Sequence, residues 1–369
     1  MYYALLSSFV FLTYLMGKVR WITDNRNTKI PLYFMITASA VLLALRPLDF
    51  NDTLSYKMIY EELDIHHNYG FDLFGEVLTV EYGFLYFMKF CKFLGFRVEG
   101  FFVIYNLIIS GITVFAAGKL IEIESDSNYP VNRYELLSLY ISYFGTYYLG
   151  IAMREGACFG FTFLMIYFLK NKRYLKALTA FACGFLMHRL MIISLVIVVI
   201  YFWGDIQLKK RTYFIIWFIS GLYILFNTGI YIQNQIANLL LQILPRIGMS
   251  AYLGYVKNYF MSQFSFSWVN FLLWAYVGIL TYLYLKEHRR RAILNIIYSG
   301  LIVSNLLYTL KGSCRIYDFF TVFSIVAIVS SEKRIRTENN TIYQSFRSLS
   351  IIAIKAVGLF LNYYIVYCY

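Results

Sequence analysis

The chain has 369 residues, of which 60% are hydrophobic and only 14% charged, and its mean hydropathy is +0.60. Soluble domains carry about 25% charged residues, so a chain this apolar cannot hide its surface in one soluble core, and lipid is the expected solvent. The net charge of +13 would suit a polyanion, but no aromatic-basic stripe or nucleic-acid-binding signature accompanies it, and nucleic acid is not an expected partner.

In lipid only helices or closed barrels satisfy their backbone groups. The apolar runs here are continuous rather than alternating with period two, which selects helices. Spans are expected near 2–16, 30–45, 101–119, 135–151, 154–169, 174–187, 189–203, 213–226, 268–285, 292–310, 315–331 and 348–367. The first reads as a retained span, not a cleaved signal. Several fall short of the ~20 residues that a lone crossing needs. The pairs 135–169 and 174–203 are therefore expected to turn at a polar residue near one face. The expected fold is an all-α polytopic integral membrane protein of about 12–13 membrane helices, one transmembrane domain over residues 1–369 with no internal repeat.

Five short loops, centred on Lys18–Lys29, Lys170–Lys176, Lys209–Arg211, Lys286–Arg291 and Lys333–Arg336, hold 18 of the 33 basic residues. The positive-inside bias assigns them to the cytoplasm. The N-terminus then lies outside, as do loops 46–81 and 227–267 and the turns near Arg154, His188 and Arg315. Loop 46–81 carries eight of the 20 acidic residues. Segment 79–95, with Lys89 and Lys92, would break this parity if it crossed, so an interfacial or half-crossing helix is expected there. Segment 230–244 has no charge. Asn234, Asn238 and Gln242 recur at i+4 spacing on one face, Ile232, Ile236, Leu239 and Ile243 line another, and Pro245 is expected to end it. Such a helix suits a membrane surface or the roof of a cavity. The five cysteines are odd in number and show no CxxC or metal spacing, so neither a disulfide framework nor a metal site is expected.

The chemistry-bearing residues interrupt the apolar runs on one predicted side. Arg154 breaks GIAMREGACFGF. A charge in such a run costs at least ~2.5 kcal/mol and needs a partner or a function. The bland reading is an ion pair with Glu155 or Glu81; the functional one is a guanidinium aimed at phosphate. His188, followed by Arg189, breaks FACGFLMHRLMI and reads as a structural histidine, a base for a sugar hydroxyl or a phosphate donor. Arg315 and Asp318 open CRIYDFF, as a snorkelling pair or a further cation on the same side. Arg46 precedes a segment in which Asp52, Thr53 and Tyr56 share a helical face, with Asp52 able to cap it. Glu81 enters the next apolar segment. Guanidiniums at 46, 154, 189 and 315 suggest an anionic, membrane-embedded substrate such as a lipid diphosphate, whose leaving charge arginines can neutralise without a metal.

The order Arg46…Asp52-Thr-x-x-Tyr56, Glu81-Tyr-Gly-Phe, Arg154 opening a helix, Phe185-x-x-His188 and Arg315-x-x-x-Phe319 resembles the EpsG/Wzy family of bacterial polysaccharide polymerases, from about residue 40 to 330. The chain departs at Tyr82, where the family commonly has Pro, at Glu155, often Gln, and at Arg189, usually a small or polar residue. The resemblance implies a multi-pass inner-membrane glycosyltransferase of GT-C-like architecture, without a cofactor or metal. It would join undecaprenyl-diphosphate-linked oligosaccharide repeat units of O-antigen or a related surface polysaccharide at the periplasmic face, with undecaprenyl diphosphate leaving. Partners would be a flippase and a chain-length regulator. His188, Glu81, Asp52 and Arg154 are the expected catalytic residues, and Arg46, Tyr56, Arg154, Arg189 and Arg315 the expected diphosphate or sugar contacts. A flippase or transporter of the same lipid-linked oligosaccharide, or an O-antigen ligase-type transferase, is the alternative.

Overall fold

In the computed structural model the described residues are 2–19, 29–47, 51–67, 80–124, 131–203, 208–226, 228–246, 253, 256–257, 268–287, 291–307, 314–335 and 341–368. Sixteen α-helices account for nearly all of them: α1 Tyr2–Lys18, α2 Lys29–Ala44, α3 Asn51–Glu62, α4 Tyr82–Phe93, α5 Val98–Glu124, α6 Arg133–Tyr140, α7 Met153–Lys170, α8 Tyr174–Met187, α9 Ile193–Trp203, α10 Lys210–Leu225, α11 Thr228–Arg246, α12 Trp268–Glu287, α13 Ala292–Leu307, α14 Cys314–Thr321, α15 Phe323–Ile335 and α16 Thr341–Cys368. The twelve apolar runs are helical over nearly all their described residues, but the last helix starts at Thr341 rather than near 348, and the run expected at 315–331 breaks into α14 and α15. Among the described residues, α5 alone is long and apolar enough to cross a membrane by itself; α2, α8 and the stretch 189–203 are shorter apolar helices. The chain packs as two compact units, residues 1–195 with 329–369, and residues 196–328, a division that hydropathy does not show.

The packing is apolar outside and partly polar inside. On α10, Phe214, Ile215, Phe218, Ile219, Leu222 and Leu225 are all exposed, and on α8 and α9 so are Leu175, Leu178, Leu195, Val196 and Val199. These fall at helical spacing on continuous faces, far more apolar surface than a water-facing helix shows. Meanwhile Arg46, Glu81, Glu135, Glu155 and Lys355 are buried.

In the first unit α5 acts as the ruler. Its 27 residues make a rod about 40 Å long. At its start the Arg46 guanidinium lies 4.3 Å over the Phe102 ring, and Tyr105 donates to the Met153 carbonyl at 2.6 Å. At its far end Arg133 packs on Gly118 and pairs with Glu122 at 3.1 Å. There Asn132 caps α6 by accepting from Glu135 N–H and donates to the Gly17 carbonyl at 3.0 Å. One end of α5 thus meets Arg46 and Met153, and the other meets the start of α6 and the end of α1. Near that second end Lys355 of α16 meets Glu135 at 2.8 Å with both side chains fully buried, and its ammonium lies 3.6 Å from the Tyr14 ring centre. Beyond α6 the helix continues as two π-helical turns, Ile141–Gly145 and Tyr147–Ile151; such bulges re-aim a helix and recur at functional sites.

Segment 79–95 forms only the 12-residue α4, about 18 Å long and too short to cross alone. Its lysines have a specific task. Lys92 Nζ donates to the carbonyls of Tyr60, Glu61 and Leu63, in the last turn of α3 and just past it, which suits a cation at a helix C-terminus. Lys89 Nζ donates to the His67 carbonyl at 2.7 Å. Thus α4 is stitched to the acidic segment. Of that segment's eight acids, Asp49, Asp72 and Glu76 lie outside the described residues.

In the second unit a short motif recurs that the hydropathy reading treats as unrelated spans: Trp217-x-x-x-Gly221 on α10 and Trp274-x-x-x-Gly278 on α12. The two indoles stack at 4.4 Å and 6°. Each N–H donates to the other tryptophan's carbonyl, at 2.9 and 2.7 Å. A methyl on Gly221 would sit 2.7 Å from the Trp274 ring, and one on Gly278 2.6 Å from Trp217 Nε1. A polar seam flanks this pair: Tyr213 donates to Asn295, Asn305 to Ser220, and Thr281 shares a hydrogen bond with Tyr298 at 2.8 Å. Interhelical bonds of this kind hold apolar helices together where no hydrophobic force acts between them.

Candidate active site

The site lies at the end of the first unit where α3, α4, α7 and α8 meet. Glu81 immediately precedes α4, with extended backbone. Two residues on, Gly83 lets α4 approach α8 closely: a Cβ there would lie 2.6 Å from the Leu186 carbonyl oxygen. This contact carries the Glu81 carboxylate to the break between α8 and the following turn. At the break, His188 has extended backbone and its side chain accepts from Leu190 N–H at 3.1 Å through Nδ1, capping the short 3₁₀ turn Arg189–Ile192. Because Nδ1 is an acceptor, the proton of the neutral imidazole resides on Nε2.

That Nε2–H faces two carboxylates at equal distance, Glu81 Oε1 and Glu155 Oε1, both 3.6 Å away. Glu81 Oε2 is in a short ion pair with Arg154 Nη1. Its Oε1 accepts from the Arg189 backbone N–H at 3.4 Å. Arg154 also points Nε at the Tyr56 hydroxyl, 3.4 Å away, and its guanidinium lies 5.8 Å from the Tyr56 ring centre. Cys158 sits beneath, its thiol directed at the carbonyls of Arg154, Gly184 and His188. One cation, two carboxylates and an imidazole thus converge. Side-chain exposure falls from Arg154 (18%) and His188 (15%) through Glu81 (7%) to Glu155 (3%), so the guanidinium and imidazole form the accessible edge.

The structure therefore brings together Tyr56, Glu81, Arg154 and His188, with the Arg189 backbone. Of the two carboxylates considered for Arg154, Glu81 takes the guanidinium. Arg46 is close but differently employed. It is expected to contact substrate, but its guanidinium is turned onto its own protein. Only 2% exposed, it donates to Thr53 Oγ1 at 3.1 Å, to the Leu43 carbonyl at 2.8 Å and toward Met153 Sδ at 3.4 Å. Thr53 in turn donates to the Gly150 carbonyl at 2.9 Å. Arg46 and Thr53 thereby tie the start of α3 to the end of the π-helical turns, which sets where Arg154 begins its helix. Asp52 lies in the first turn of α3 rather than at its cap, since the helix starts at Asn51. Arg315 opens α14 in the second unit. Glu155 is the member that sequence reasoning left in the background; its signal was adjacency to Arg154 in one apolar run. No group of three or more metal-binding side chains occurs among the described residues.

A family model matches residues 29–367, which includes every residue of this cluster. The chain belongs to the EpsG family. No curated protein and no solved structure matches it. Within the family assignment the local geometry accounts for the motifs quoted above: Glu81-Tyr-Gly-Phe needs its glycine for the approach of α4 to α8, and Phe185-x-x-His188 ends at the residue that caps the next turn. Membership implies a part in polysaccharide biosynthesis at a membrane, and the exposed apolar faces fit that setting.

Proposed function

We propose that the chain is a multi-pass inner-membrane glycosyltransferase that polymerises lipid-linked oligosaccharide repeat units of O-antigen or a related surface polysaccharide at the periplasmic face. The observation that supports this reading is the Arg154–Glu81–His188–Glu155 cluster, one cation, an imidazole and two carboxylates gathered where α3, α4, α7 and α8 meet. The substrate would be an undecaprenyl-diphosphate-linked oligosaccharide, with a flippase and a chain-length regulator as partners.

In the proposed reaction an acceptor sugar hydroxyl attacks the donor's anomeric carbon. The bond from that carbon to the diphosphate oxygen breaks, and undecaprenyl diphosphate leaves with the electron pair. A guanidinium binds diphosphate through two parallel donors, so an arriving substrate competes with Glu81 for Arg154. Its binding releases the Glu81 carboxylate, which then takes the hydroxyl proton. His188, its Nε2 standing 3.6 Å from both Glu81 Oε1 and Glu155 Oε1, is placed to donate to whichever carboxylate closes on it. Arg154, with Arg189, stabilises charge developing on the leaving group, and Tyr56 and Asp52 border the acceptor side. The base is thus unmasked by the substrate it acts on.

The test is a gel of surface polysaccharide from a deletion strain complemented with wild type, Arg154→Lys or Glu81→Gln at matched membrane levels. A single repeat unit in the deletion strain, a ladder with wild type and none with either variant is the expected result. Loss of even the single unit on deletion would favour a flippase; a full ladder with Arg154→Lys would refute the bidentate role.

A further inference from the structure

The helix α11, Thr228–Arg246, presents three distinct stripes. Gly229, Gln233 and Ala237, at i, i+4 and i+8, are its buried seam, and α11 packs there on α10 and α13. Ile232, Leu239 and Ile243 are exposed on a second face. Tyr231, Asn234, Asn238 and Gln242, at i, i+3, i+7 and i+11, form a third exposed row, with Gln235 at its edge. The helix bends 77° from α10.

The third row is unusual for such a helix. Surface-lying helices ordinarily carry Lys and Arg toward lipid headgroups. This one has no charged residue before the terminal Arg246. Asparagine is a weak helix former, so propensity does not account for the row. Carboxamides offer donors and an acceptor side by side without charge, the same dual character as a sugar hydroxyl. Tyr231, 71% exposed, adds a flat apolar ring with a polar edge. The row from 231 to 242 spans about 16 Å, room for several sugar rings end to end. Gln233, on the packed seam opposite this row, is polar as well. It is 1% exposed, and neither atom of its carboxamide has a hydrogen-bond partner among the described residues. Leaving such a group unmet costs about 1–3 kcal/mol, so the helix is polar even where it is packed.

We propose that α11 is a saccharide-binding helix, which holds an uncharged, hydroxyl-rich stretch of glycan along Tyr231, Asn234, Asn238 and Gln242 while its isoleucine–leucine stripe rests in lipid. The inference rests on the polymerase reading for its ligand class, and it adds a binding surface remote in sequence from the catalytic cluster. Such a surface retains the chain between additions, so it governs product length rather than the chemical step.

The test uses the full chain in nanodiscs and, as probe, the producing strain's own surface polysaccharide freed of lipid. Saturation-transfer NMR and a titration compare wild type with Tyr231→Ala/Asn234→Ala/Asn238→Ala and with Asn234→Gln, after matched thermal unfolding shows that each is folded. Binding by wild type, at least tenfold weaker binding by the triple variant and retained binding by Asn234→Gln is the expected result. Equal binding by the triple variant, or none by wild type, overturns the proposal. The gel of the same strains separates the two readings: a wild-type ladder that shortens in the triple variant supports both. A ladder unchanged in length overturns the role of α11 and leaves the polymerase standing. No ladder with wild type sinks the polymerase reading, and the binding result then decides the role of α11 by itself.

Discussion

The Glu135–Lys355 pair allows a quantitative prediction. Its charges lie 2.8 Å apart with neither side chain exposed, which corresponds to an attraction of about 6 kcal/mol at an effective dielectric of 20. The Tyr14 ring beneath the ammonium adds about 1–2 kcal/mol. Desolvation costs several kcal/mol for each ion, about cancelling these gains. The pair as a whole therefore contributes near zero, while either charge alone is a large liability. Lys355→Met and Glu135→Met should each destabilise by about 3–5 kcal/mol, and the double variant should fall within about 1 kcal/mol of wild type. Equilibrium unfolding of the detergent-solubilised protein, read by tryptophan fluorescence for all four members of the cycle, measures this. Single effects that simply add, with a coupling below about 0.5 kcal/mol, would refute the reasoning and mean that water reaches the pair.

Three other outcomes follow from the geometry. His188→Asn should keep the cap on Leu190 N–H and unfold like wild type, whereas His188→Ala should lose about 0.5–2 kcal/mol; both should abolish the polymer ladder, since both lose the Nε2–H between the carboxylates. Gly83→Ala forces α4 off α8 and should cost about 1–3 kcal/mol, with loss of the ladder; a normal ladder would mean that Glu81 is not held by this approach. At pH 7 the Asp64 carboxylate, kept below its usual range by the His66 backbone N–H, is ionised and holds the turn. A depressed folded-state value means that this contribution is complete above the ordinary aspartate range and is lost as pH falls through the folded value. The protection of the His66 amide, its exchange rate divided by the intrinsic rate at each pH, should therefore fall on acidification in wild type, and in Asp64→Asn it should show no such fall.

Twelve helical runs, the basic loops and the short polar breaks were legible in the chain because hydropathy and charge act locally, residue by residue, against a solvent. Glu81, Arg154 and His188 were legible as candidates for the same reason: each is a polar group in an apolar run. Their mutual arrangement was not. Only tertiary packing decides that Glu81 rather than Glu155 takes Arg154, because it depends on a glycine letting α4 approach α8. Packing also turns Arg46 inward onto Phe102 and Thr53, and only the acceptor geometry at Leu190 N–H assigns the His188 proton to Nε2. The Trp217–Trp274 clasp and the Glu135–Lys355 pair join residues 57 and 220 positions apart. No local pattern encodes such partners, since hydrophobic period specifies which face of a helix is covered and leaves open by what.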